Sequence, residues 1–222
     1  MKRLLILLIF CAASLKAAET PEAAFKRLQE GNDRFVKERL LHPDRTHERR
    51  LSLAQGQSPF AVIVSCSDSR VVPEVIFDEG LGDLFVIRVA GNVVGSTELE
   101  SVEYAVGHLD PSIVVVMGHE KCGAVDAVVS GQTQGIPYIA QLIEPAVKQA
   151  RSLHPADLLR SSIEFNALRM SQLLLKSATL NKKIQSKTIA VHSAYYNLQT
   201  GRVEFLDVSQ QKKRSSPSGV AW

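Results

Sequence analysis

Phe60-Ala61-Val62-Ile63-Val64-Ser65-Cys66-Ser67-Asp68-Ser69-Arg70 is the stretch on which the fold turns. The apolar run over 60–64 is short and β-branched and lacks polar alternation. That pattern belongs to a strand buried on both faces of a parallel sheet. Runs over 84–89 and 113–117 read the same way. Helical patterns separate and follow them, over 97–109, 123–129, 138–153 and 155–180. The first of these is read with Ser96 as cap and Glu98 and Glu100 in its first turn. A last strand pair, 188–196 and 202–208, flanks the turn Gln199-Thr200-Gly201 and makes a C-terminal β-hairpin. Strands alternating with helices give an α/β fold, a single domain with a mostly parallel central sheet flanked by helices.

Upstream, 20–41 reads as an N-terminal helical arm. Thr20 caps it, Pro21 suits the first turn, and Ala24, Phe25, Leu28, Phe35 and Val36 recur at helical spacing. The basic, polar stretch 41–57 reads as exposed surface, and 210–222 as a flexible polar tail.

The first 18 residues read as a signal peptide. Lys2 and Arg3 precede an apolar stretch over 4–13, and the small Ala17 and Ala18 stand before Glu19. The run is short for a membrane anchor, and Phe10 is bulky where a lipid-attachment site at Cys11 would need a small residue. The chain has 222 residues with 26 basic and 23 acidic ones. Lys2, Arg3 and Lys16 leave with the leader, so 23 basic residues remain against 23 acidic. A balanced surface argues against nucleic acid or a membrane surface as partner. The leader points to an exported bacterial protein, periplasmic and not inserted in the membrane after processing. The folded domain then spans 19–209. Export leaves two cysteines, Cys66 and Cys122, which on count alone favour a disulfide.

Their context points elsewhere. The first apolar strand runs into Cys66-Ser67-Asp68-Ser69-Arg70, and the third into Gly118-His119-Glu120-Lys121-Cys122-Gly123. Ligands of open parallel sheets bind at the carboxyl ends of strands, where strand order reverses. Both motifs therefore reach one crevice, although about fifty residues separate them. Thiolate and imidazole are zinc's favoured ligands, and three protein ligands leave one position open for water. Zinc would hold both sulfurs as thiolates and so prevent their pairing. Beside Cys66, Arg70 can hold the Asp68 carboxylate bidentately and keep it ionised, ready to accept a hydrogen bond from zinc-bound hydroxide.

Cys-Ser-Asp-Ser-Arg followed by His-x-x-Cys-Gly resembles the signature of the beta-class carbonic anhydrases. The likeness extends to the segment 82–92, to Glu103-Tyr104-Ala105-Val106 and to the hairpin segment 194–201, covering roughly 25–208. The resemblance implies one zinc per chain on Cys66, His119 and Cys122, with Asp68 and Arg70 as the catalytic dyad. It implies reversible hydration of carbon dioxide to bicarbonate and a proton by zinc-bound hydroxide. It places Gln57, nine residues before Cys66, as a substrate contact, with Phe85, Tyr104 and the Gly123 amide lining the cleft. It also implies a homodimer or homotetramer, with the N-terminal arm on a neighbour. Asp68 is a fourth zinc ligand only where the family's site is closed. The subgroup with an allosteric bicarbonate pocket has Trp where this chain has Ile63, so an open site with no such pocket is expected.

Two other readings stand beside this one. The same scaffold and ligands would serve an enzyme that hydrolyses carbonyl sulfide or carbon disulfide. A non-enzymatic zinc protein would be expected to lack an intact Asp68–Arg70 pair. His108 reads as a helix end and His192 as a strand residue. His42, His47 and His154 read as solvated, and Glu120 and Lys121 as solvent-facing.

Overall fold

The computed structural model of the protein describes residues 19–206. The leader over 1–18, the tail over 210–222 and the last residues of the expected final strand lie outside it. Five strands form one sheet in the order β2-β1-β3-β4-β5. They are β1 (Ala61–Ser65), β2 (Leu84–Arg88), β3 (Ile113–His119), β4 (Ala190–Tyr196) and β5 (Val203–Leu206). The first four run parallel, and β5 pairs antiparallel with β4 as the expected hairpin.

Every residue of β1 and β3 is buried, as their unbroken apolar runs require. Side chains alternate between two cores. Val62, Val64, Val114 and Val116 face α4 (Ser96–His108), α5 (Gly123–Ser130), α6 (Pro137–Ser152), α7 (Leu158–Leu174) and α8 (Ala178–Gln185). Ala61, Ile63, Ile113, Val115 and Met117 face α1 (Pro21–Val36) and the single turn α3 (Pro73–Ile76). Phe25 of α1 stacks on His192 of β4 at 4.7 Å between ring centroids.

The chain visits β1, then β2 on one side of it, then β3 on the other. The order therefore reverses between β1 and β3, and the crevice lies beyond their carboxyl ends.

Three boundaries differ from the sequence reading. The arm helix stops at Val36, not at 41. Glu38 takes a positive φ of 54°, and the Leu41 and His42 amides then donate to buried Asp78 at 2.9 and 3.1 Å. The long helix expected over 155–180 is two, because the Ser177 hydroxyl caps α8 through the Leu180 amide. The cap of α4 is Gly95, whose amide donates to Glu98 Oε2 at 2.9 Å, with Ser96 already in the first turn. A further helix, α2 (His47–Leu53), lies in the stretch read only as polar surface, and none of its residues is buried.

Candidate active site

The two motifs meet as their strand positions require. Cys66 follows the last residue of β1, and His119 is the last residue of β3. Ser65 is in register with Met117, so Cys66 arrives level with the end of β3. Cys122 is the N-cap of α5, one turn beyond His119. Between them, Lys121 takes a φ of +53°, which bends the chain from strand to helix. The Sγ atoms and an imidazole nitrogen lie within 4.8 Å of one another, and all three residues are buried. Both cysteines are free thiols, so the disulfide favoured by count is not formed among the described residues.

Three features show that this set fits zinc. His119 Nδ1 meets the Glu120 carbonyl at 2.9 Å. A carbonyl only accepts, so Nδ1 carries the proton and Nε2 keeps its lone pair. Nε2 is buried and has no hydrogen-bond partner, a costly orphan unless an electron acceptor faces it. The sulfurs are poised as well. The hydrogen bond from Cys122 pulls the Cys66 thiol down to about 4, against the opposing effect of burial. That same bond, with burial, pushes Cys122 up. The amino end of α5, at Cys122, favours negative charge there.

Supporting groups hold the first loop. The Gly91 amide donates to Cys66 Sγ at 3.3 Å, and Gly91 has a φ of +73° that glycine adopts without strain. Arg88, at the end of β2, donates to the Cys66 carbonyl at 3.1 Å and to the Asp68 carbonyl at 2.7 Å. Sequence reading did not single out Arg88 or Gly91 as site residues. An arginine closing an otherwise apolar strand was the available signal.

Arg70 grips Asp68 through both carboxylate oxygens, at 2.9 and 2.7 Å, and adds its own amide at 3.0 Å. The guanidinium thereby holds the Asp68 carboxyl well below the usual carboxylate range. Asp68 Oδ2 lies 3.9 Å from His119 Nε2.

Of the remaining expected residues, Gln57, Phe85 and Tyr104 lie apart from this cluster within one chain, and Gly123 adjoins it. Gln57 precedes β1, at the opposite end of the strand from Cys66, on a groove of about 670 Å³ shared with Arg27, Phe60 and Asp83. Phe85 is in register with Val62, four residues short of Cys66, and its ring is 6.3 Å from Tyr104. Tyr104 is half exposed and stacks on His108. Gly123 opens α5 beside Cys122, with open space where a side chain would stand. Glu120, read as solvent-facing, instead accepts the Leu198 amide at 2.9 Å.

A buried cysteine-histidine-cysteine set at the crevice of a parallel sheet, beside an ionised aspartate, defines an α/β protein with a residue group that could hold a metal ion. A family model described as carbonic anhydrase matches residues 61–203. Carbonic anhydrase 2 of Mycobacterium tuberculosis is 40% identical over 194 residues, covering 84% of this chain and 93% of its own. Among solved structures, the β-carbonic anhydrase CafA of Aspergillus fumigatus aligns with a TM-score of 0.65 at 26% identity, covering 87% of this chain and 94% of that one. The Coccomyxa β-carbonic anhydrase in complex with acetazolamide aligns with a TM-score of 0.64 at 26% identity, covering 80% and 83%. The chain belongs to the carbonic anhydrase family, in its beta class, and it is an enzyme of that family.

Proposed function

We propose that this enzyme catalyses the reversible hydration of carbon dioxide with one zinc ion on Cys66, His119 and Cys122, and with Asp68 orienting the nucleophile. The observation that carries this reading is the bare, buried Nε2 of His119, 3.9 Å from a clamped carboxylate, on a ring with a nitrogen within 4.8 Å of two free thiols. Zinc in such a site supplies a Lewis acid that brings the pKa of its water to about 7. The chain's own groups do the rest. Asp68, ionised and fixed by Arg70, accepts a hydrogen bond from the attacking oxygen and turns a lone pair toward the carbon of carbon dioxide. In this reading the amide of Gly123, first in α5, donates to a substrate oxygen. Bicarbonate leaves, and the proton lost by the incoming water passes to solvent.

A carboxylate held by a bidentate guanidinium suits an open site, because moving it onto the metal would cost both charge-assisted bonds. Gln57, Phe85 and Tyr104 serve the site of a neighbouring copy in this reading. β1 alone separates Gln57 from Cys66 by about 16 Å. The exposed Leu51 of α2, Leu41 and Leu81 would then be covered in a homo-oligomer. We propose export to a bacterial periplasm from the basic, apolar and small-residue order of 1–18. No helix among the described residues is long and apolar enough to cross a membrane.

Stopped-flow hydration of carbon dioxide tests the function. Activity should be lost with a chelator, return with zinc, and be inhibited by acetazolamide, the compound bound by the Coccomyxa relative. Zinc-replete protein without hydration activity would refute it.

A further inference from the structure

Glu120 sits between two of the candidate zinc ligands, and its three polar groups point three ways. Its amide donates to the Tyr196 carbonyl at 2.8 Å, extending the β3–β4 ladder one residue past the His119–Tyr196 pair. Its carbonyl meets the Nδ1–H of His119 at 2.9 Å. Its carboxylate reaches across to the turn after β4, where Oε2 accepts the amides of Leu198 at 2.9 Å and Gln199 at 3.3 Å. The turn is itself stiff, because Asn197 Oδ1 accepts the Gln199 and Thr200 amides at 3.1 and 2.8 Å.

These contacts matter because the next residue is the weak point of the segment. Lys121 is a non-glycine residue at a φ of +53°, in the left-handed region, which costs about 1 kcal/mol or more and persists only where neighbours enforce it. The peptide joining Glu120 to Lys121 carries the carbonyl that sets the tautomer and orientation of His119. Its Lys121 end lies on the strained turn and its Glu120 end on the strand ladder. The carboxylate adds the one side-chain tie from Glu120 to a separate, rigid turn. Charge-assisted acceptance of two amides makes that tie about twice as strong as a neutral one.

We propose that Glu120 is a positioning residue of the metal centre. Its carboxylate, anchored on Leu198 and Gln199, holds the peptide that aims His119 Nε2 between the two sulfurs. Glu120 touches neither metal nor substrate in this role and acts through His119. Partners of ligating histidines behave this way in general, and losing one costs 10- to 100-fold in metal affinity or activity. The inference rests on the zinc reading of the site.

The test is zinc affinity, measured by competition with a chromophoric chelator on Glu120→Ala and Glu120→Gln, with cobalt substituted to report ligand geometry. Gln keeps an oxygen that can accept both amides; Ala keeps none. Glu120→Ala should bind zinc about 10- to 100-fold more weakly and show a shifted cobalt visible spectrum, whereas Glu120→Gln should stay within about threefold of the parent. If Glu120→Ala does not fold, Glu120→Met, similar in length and with only a weak thioether acceptor in place of the carboxylate, replaces it. Parent-like affinity and spectrum in the Ala or Met variant would overturn the proposal, as would a Gln variant as weak as Ala. Failure of the parent protein to bind zinc would instead remove the metal-site reading, so the two failures are told apart.

Discussion

Asp68 Oδ2 stands 3.9 Å from His119 Nε2, beyond hydrogen-bond reach, while both of its carboxylate oxygens are taken by Arg70. The carboxylate is thus beside the imidazole without bonding to it. In the proposed reading Nε2 is left for a metal and Asp68 for whatever approaches that metal.

Asp68→Ala separates these roles. It removes the orienting group and none of the three candidate ligands. The rate of carbon dioxide hydration should fall by about 100-fold or more, with zinc content per chain unchanged. Stopped-flow kinetics with metal analysis on the same sample check this. An unchanged rate would remove Asp68 from the chemistry. Arg70→Lys should also lose much of the rate, because an ammonium cannot reproduce the two-point grip.

Stability should depend on pH through Asp78. Burial works to raise its carboxyl pKa, but Arg34 and the Leu41 and His42 amides outweigh it and leave the net shift downward. A depressed folded pKa stabilises the protein above the ordinary carboxyl range, and this stabilisation is lost as pH falls through the folded value. Asp78→Asn should cost about 3 kcal/mol near neutral pH. The gap between the two proteins should hold steady from about pH 7 to about 4 and narrow only below that, as the parent's carboxylate takes up its proton. Urea melts at several pH values measure it. A gap independent of pH would show that the charge of Asp78 is not used.

The arm helix has an equally specific test in Gly31. A Cβ there would lie 1.8 Å from the Phe77 carbonyl oxygen, which belongs to backbone and cannot swing aside. Gly31→Ala should therefore push α1 off the segment around Phe77 and cost about 1–3 kcal/mol or more. It would show as a drop in Tm, and an unchanged melt would mean that the helix does not sit so close.

Chelation should destabilise as well as inactivate. A metal bound only by the folded chain adds about 4 kcal/mol when present at a thousand times its Kd. Thermal melts should fall with a chelator and recover with zinc but not with magnesium, a hard cation that prefers oxygen ligands. In the chelated, reduced protein Cys66, which is 5% exposed, should alkylate before Cys122, which is fully buried. Equal labelling would contradict that ordering.

Much of the architecture was legible because the residues that build it have one use. Unbroken β-branched runs such as Val114-Val115-Val116 have no stable place except a sheet covered on both faces. Cys66, His119 and Cys122 were legible because each follows or ends such a run, where topology leads to a shared crevice. What escaped was whatever depends on distant partners. Nothing local marks Asp78 as the hub that ends the arm helix, or Glu120 as the clasp on the hairpin turn. Helix α2 buries no residue and so left no apolar stripe to read. Gln57 was found only by resemblance, and a single chain places it away from the metal set.

Zinc content per chain, measured on protein purified under reducing and zinc-replete conditions, tests the central claim most directly. The expected result is one zinc per parent chain and a large loss of it in His119→Ala and in Cys122→Ser. Parent protein free of zinc, with Cys66 and Cys122 cross-linked, would contradict the account.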